Sequence, residues 1–147
     1  MVLSKGLNEM VIEQMNGAML AFVGDAYYEL KVREFLIKRG VNKTNRFHKL
    51  SVFYVSAKAQ ARLLEWLNDQ ELLTEEELVV VKRGRNVKTG TVPKNTDIMV
   101  YRHSTGFEAL IGYLYLKEDW DRLDELLTKI IDQRKKDEEN EIRGNIW

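Results

Sequence analysis

The run Ala18-Met19-Leu20-Ala21-Phe22-Val23-Gly24-Asp25-Ala26-Tyr27-Tyr28-Glu29-Leu30 constrains this chain more than any other. It reads as part of one helix that is apolar on nearly every face, and such a helix belongs in the middle of a fold. Asp25 lies inside it, where an ionised carboxylate is costly unless it is paired or binds a metal. A second segment, Thr105 to Leu116, repeats the anomaly, with Glu108 its only acid among apolar and small residues. Any fold for this chain must account for both carboxylates.

A single proline, Pro93, and little β-branched alternation point to an all-α protein. The 147 residues allow one domain with a real core. The central helix is expected from about Asn16 to Arg39, stopping at Gly40. A third helix is expected from Arg46 to about Glu65, capped by Thr44-Asn45, with a short turn around Trp66 to Leu73. Thr74-Glu75-Glu76-Glu77 is a capping box. Asn95 or Thr96 is expected to cap the Glu108 helix, which runs to about Lys117. A last amphipathic helix, Trp120 to about Glu139, carries Leu123, Leu126, Leu127, Ile130 and Ile131 at core spacing. Within this single domain, 1–147, the charged residues 131–147 are expected to fray.

With 23 basic and 23 acidic residues, only the distribution of charge can speak about partners. The lack of cysteine excludes disulfide scaffolds and thiolate metal sites. No stretch approaches the roughly 18 consecutive apolar residues of a membrane span, and Glu9 and Glu13 interrupt any signal-peptide layout. A cytoplasmic protein with no membrane contact is the expectation.

Asp25 and Glu29 stand at i, i+4, but Glu29 stands likewise to Arg33, so Glu29 is assigned to an ion pair. Asp25 and Glu108, one on each core helix, suit a shared divalent cation, since Mg²⁺ is held by one or two carboxylates plus waters and phosphates. A metal there could generate a hydroxide and clamp a phosphodiester; the plainer alternative is structural pairing. Lys82, Arg83, Arg85, Lys88 and Lys94 form an acid-free, glycine-containing stretch of the kind phosphate-backbone binding needs, with a solvated loop as its alternative. A second basic region holds Lys31, Arg33, Lys38, Arg39, Lys43, Arg46 and Lys49, opposed only by Glu34. His48 and His103 are too few and scattered for zinc. No Walker motif, dinucleotide fingerprint or nucleophile elbow is present. Tyr27, Tyr28, Tyr113 and Tyr115 are candidates for a dimer contact.

Phe22-Val23-Gly24-Asp25-Ala26 resembles the Phe-Leu-Gly-Asp-Ser core of the ribonuclease III signature. Phe107-Glu108-Ala109-Leu110-Ile111-Gly112 resembles that family's second acidic motif, Val-Glu-Ala-Leu-Ile-Gly. Val55 to Gln60, Arg83 to Asn86 and Gly90 to Asp97 look more closely like Mini-ribonuclease III, the bacterial branch without an appended double-stranded-RNA-binding domain. The resemblance runs from about Asn16 to Leu127. It departs from the larger enzymes where they carry further acids, since those places hold Ala18, Ala21 and Thr105 here.

The resemblance implies an all-α, ribonuclease III-like homodimer that cuts double-stranded RNA with Mg²⁺, leaving 5′-phosphate and 3′-hydroxyl ends. It implies Asp25 and Glu108 as catalytic and metal-binding residues, and precursor 23S ribosomal RNA as substrate, with a ribosomal protein as a candidate helper. Arg83, Arg85, Lys88 and Lys94 are assigned to the RNA backbone, and Lys58, Gln60 and His103 to the surroundings of the site. One rival is a homodimer that binds double-stranded RNA without cutting it. The other is an all-α interaction module whose carboxylates merely pair with arginines.

Overall fold

A computed structural model describes residues 7–87, 95 and 97–143, and among these every regular element is a helix. In order they are α1 (Glu9–Gln14), α2 (Gly17–Lys38), α3 (Thr44–Val55), α4 (Ala57–Asp69), α5 (Glu75–Arg85), α6 (Ile98–Leu116) and α7 (Trp120–Arg143). The centre is α6, which packs against α2, α4, α5 and α7. Its buried Phe107, Leu110, Ile111, Tyr113 and Leu114 meet Leu20, Tyr28, Val32 and Leu36 of α2 in one core.

Local chemistry sets most boundaries. Asn16 caps α2 by accepting from the Met19 amide at 2.9 Å. Gly40, at φ +87°, turns the chain out of it, a conformation that costs glycine little. Thr74 and Glu77 form both bonds of the capping box at α5. At α6 the cap is Asp97, whose carboxylate accepts from the Met99 and Val100 amides, rather than Asn95 or Thr96.

Two expectations are corrected. The helix expected from Arg46 to Glu65 is two helices that turn at Ser56. This residue leaves helical geometry (φ −59°, ψ 155°) and caps α4 through its hydroxyl, which accepts from the Ala59 amide. α4 then continues to Asp69, so the turn expected around Trp66 to Leu73 begins only at Gln70. The charged run after Ile131, expected to fray, stays helical to Arg143. It is anchored by buried polar groups: Glu138 takes a bidentate bond from Arg39 and one from the Tyr54 hydroxyl, and Arg134 donates to the Phe53 carbonyl. Burial pushes the Glu138 carboxyl up, but the bonds from Arg39 and Tyr54 outweigh it and hold it below the usual range.

The closest helix contact is a crossing of α2 over α6 at two glycines. A Cβ on Gly24 would lie 1.7 Å from the Glu108 carbonyl oxygen, and one on Gly112 would lie 1.9 Å from the Leu20 carbonyl oxygen. Helix backbone is in the way in both cases, so nothing nearby can yield cheaply. Gly24→Ala or Gly112→Ala is expected to cost about 3 kcal/mol in a urea unfolding series. Gly40→Ala meets no atom within 4 Å and is expected to cost only about 1 kcal/mol, from backbone strain.

Candidate active site

Gly24 directly precedes Asp25, and Gly112 lies one helical turn beyond Glu108, so the crossing of α2 over α6 sets Asp25 beside Glu108. The two carboxyl groups lie within hydrogen-bonding reach. Glu108 is half-buried, whereas Asp25 stands at the exposed edge of α2. Asp25 therefore does not sit inside the core as its sequence context suggests. The reason is that α2 has an uncovered side: Met19, Phe22, Ala26 and Leu30 share one helical face and all are exposed, Phe22 to 82%.

Burial, then the hydrogen bond and charge of Asp25, push the Glu108 carboxyl up to about 9; the charge of Glu29 adds to this, and a bond from Gln60 opposes it. Glu29 makes the expected ion pair with Arg33 at 2.9 Å, yet its charge still reaches the site. Gln60, only 2% exposed, donates through Nε2 to the Val55 carbonyl at 3.1 Å and faces Glu108 Oε2 at 3.5 Å. The Val55 carbonyl needs a donor, which fixes the amide orientation and leaves Gln60 Oε1 buried without a partner.

These groups fit a hard divalent cation. Two neighbouring carboxyl groups, one half-buried and one at the exposed edge, are the kind of oxygen donor set Mg²⁺ accepts. Among the described residues no cluster of three or more His, Asp or Glu forms a fuller ligand set. The Thr105 hydroxyl is committed to the Tyr101 carbonyl at 2.9 Å, and Ala18 and Ala21 offer no ligand. A cation held by these two carboxylates would need water and a substrate phosphate to complete its coordination.

A second glycine seam joins the basic end of α5 to this centre. Cβ atoms on Gly17, Gly84 or Gly106 would each come within 3.0 Å of a neighbouring helix. Arg83 donates to the Met15 carbonyl at 3.2 Å, and Arg85 lies against Gly106. Both arginines are half-buried, each tethered by part of its side chain. Lys88 and Lys94 lie outside the described residues. His103 bonds the Met99 carbonyl through Nδ1 at 2.7 Å, an ordinary role within its own helix. Lys58 is exposed on α4. Of the candidate tyrosines, Tyr28 and Tyr113 are core residues, while the half-buried Tyr27 and Tyr115 pack against each other with ring centroids 4.8 Å apart. The Met19–Phe22–Ala26–Leu30 face of α2 is apolar and exposed.

Residues 18–119 match the Ribonuclease III domain. The chain belongs to the ribonuclease III family, in its Mini-ribonuclease 3 branch. It is 50% identical over 115 residues to the Mini-ribonuclease 3 of Enterococcus faecalis, covering 78% of this chain and 87% of that one. With that of Brevibacillus brevis it shares 54% over 112 residues, 76% and 82% of the two chains. A crystal structure of a Fusobacterium nucleatum protein superposes with a TM-score of 0.73 at 31% identity, covering 84% of this chain and 97% of the other. The family makes the chain an endoribonuclease of double-stranded RNA with the ribonuclease III fold. Among the described residues no helix is long and apolar enough to cross a membrane.

The sequence places Gln60 only in the surroundings of the site, and the one local hint of its orphaned oxygen is a glutamine set amid Ala57, Ala59 and Ala61.

The folded chain binds the Glu108 proton more tightly than the unfolded chain. This group's stabilisation is therefore fully present below the ordinary carboxylate value of 4.5 and is lost as the pH rises through about 9. Melting temperatures of metal-free protein are expected to fall across that window, and the Glu108→Gln variant to lack that component of the fall.

Proposed function

We propose that this enzyme matures precursor 23S ribosomal RNA in the cytoplasm as a Mg²⁺-dependent homodimer, leaving 5′-phosphate and 3′-hydroxyl ends. The observation that carries the reading is the convergence of Asp25 and Glu108 at the α2–α6 crossing, where burial and the neighbouring Asp25 push the Glu108 carboxyl up to about 9. Asp25 and Glu108 would hold the metal. Bound there, the cation would supply an acidified water and charge stabilisation at the scissile phosphate. Gln60 holds the Glu108 carboxylate from the buried side, and its unpartnered Oε1 is an acceptor for a water of the site. Arg83 and Arg85, with Lys88 and Lys94, grip the backbone of the duplex. Recognition through phosphates and 2′-hydroxyls suits an A-form helix, whose deep groove hides its base edges.

The exposed apolar face of α2 supports the homodimer. A stripe whose largest member is 82% exposed is costly to leave in water, and a second copy covers it symmetrically. Because Asp25 stands at the edge of that stripe, pairing through it brings two sites to one side of the dimer.

The test is cleavage of a long RNA duplex by wild type, Asp25→Asn and Glu108→Gln, each with Mg²⁺ and with chelator. Wild type is expected to cut only with metal, and each variant to lose about a thousandfold or more in kcat/KM. Salt-sensitive binding without cleavage by wild type would favour the non-catalytic reading, and an active Asp25→Asn would remove that residue from the site. Phe22→Glu is expected to shift the sedimentation of the protein from dimer to monomer at micromolar concentration. A dimer that survives this change would put the interface elsewhere.

A further inference from the structure

The balance of 23 basic against 23 acidic residues hides a strong segregation. From Phe35 to Leu64 there is no Asp or Glu at all. This segment runs through the end of α2, all of α3 and the first half of α4. Lys38, Lys43, Arg46, Lys49, Lys58 and Arg62 are all exposed in it, and none makes an ion pair or hydrogen bond among the described residues. Arg39 is the exception, committed to Glu138. Glu138 is itself occupied by Arg39 and Tyr54, so it cannot neutralise Arg46, whose charge it feels only at a distance.

Three of these free cations converge. Lys43, Arg46 and Lys49, with Thr44 and Asn45, line an open hollow of about 460 Å³ at the start of α3. No acid and no apolar side chain borders it. Where an anion-free surface packs three cations around one concavity, their mutual repulsion favours a polyanionic partner.

The position of the hollow is set by α3 itself. The far end of that helix is tied to the active site, since Gln60 bonds the Val55 carbonyl and faces Glu108. With 12 residues, α3 is about 18 Å long, and the hollow lies toward its opposite end from the Val55 carbonyl that Gln60 holds. A small ligand at the site does not reach so far, whereas a duplex with phosphates along its whole length does.

We propose that Lys43, Arg46 and Lys49 form a second phosphate-backbone clamp, which holds the flank of an RNA duplex about one α3 length away from the bond being cut. This rests on the reading of Asp25 and Glu108 as a double-stranded-RNA cleavage site. The clamp contributes affinity and the minimum length of a good substrate, and it touches no reacting atom. Its contacts are charge on charge, so they carry no base preference.

The test compares wild type with the triple variant Lys43→Gln, Arg46→Gln and Lys49→Gln, on RNA duplexes of about 30 and about 8 base pairs. A control variant, Lys129→Gln with Lys136→Gln, removes exposed positive charge from α7 instead. For the long duplex the triple variant is expected to raise KM about tenfold or more with kcat unchanged. The slope of log affinity against log salt, measured with chelator present, is expected to become shallower by about three, one per lost contact. The short duplex and the control variant are expected to show neither effect. A triple variant with wild-type KM and salt slope on the long duplex overturns the clamp alone. A lower kcat at unchanged KM also overturns it, because the residues then act on the chemistry or the fold. Wild type that neither binds nor cuts duplex RNA overturns the cleavage reading and the clamp together.

Discussion

Two helix backbones can touch only where neither carries a side chain, and α2 and α6 touch at Gly24 and Gly112. Everything specific to this molecule follows from that contact. The crossing leaves no space for a methyl group, so the register of one helix on the other is fixed to within a residue. The next residue along α2 is Asp25, and Glu108 stands one helical turn before Gly112. Their carboxyl groups therefore meet because the glycines do. The same crossing buries the facing sides of both helices, where Leu20, Tyr28, Phe107 and Ile111 close the core.

The site that results is under electrostatic tension. Glu108 is half-buried beside a second carboxylate and within reach of a third, and it keeps its proton to about pH 9. In a protein that merely needed a stable core, apolar side chains would serve better than such a pair. A cation held there would relieve the tension and tie the stability of the α2–α6 contact to occupancy of the site. Charge elsewhere is unevenly spread: from Phe35 to Leu64 seven Lys and Arg residues stand with no acid among them, within a chain whose net charge is zero.

Much of this was legible in the residues. The two acids in apolar helices marked the site, because burial of a lone carboxylate needs a reason that local sequence does not supply. Gly40 and the Thr74–Glu77 box marked helix ends through chemistry confined to a few residues. What escaped were features decided over long distances. Ser56 can cap a helix or ride within one, and only the packing of α3 and α4 chooses between them. The run after Ile131 looks solvated in sequence, but Arg39 and Tyr54, far back in the chain, supply the partners that bury Glu138. Asp25 looked interior since its neighbours are apolar; the uncovered Phe22 face of α2 is what leaves it at the surface.

The central claim is that Asp25 and Glu108 form one site poised for a divalent cation. The most direct measurement is calorimetric titration of the metal-free protein with Mg²⁺ near neutral pH, repeated in buffers of different ionisation enthalpy. Glu108 must give up its proton to become a ligand, so binding is predicted to release about one proton per cation in wild type. Asp25→Asn is predicted to abolish both the binding and the proton. Cation binding with no proton released, or binding that survives intact in Asp25→Asn, would contradict the account.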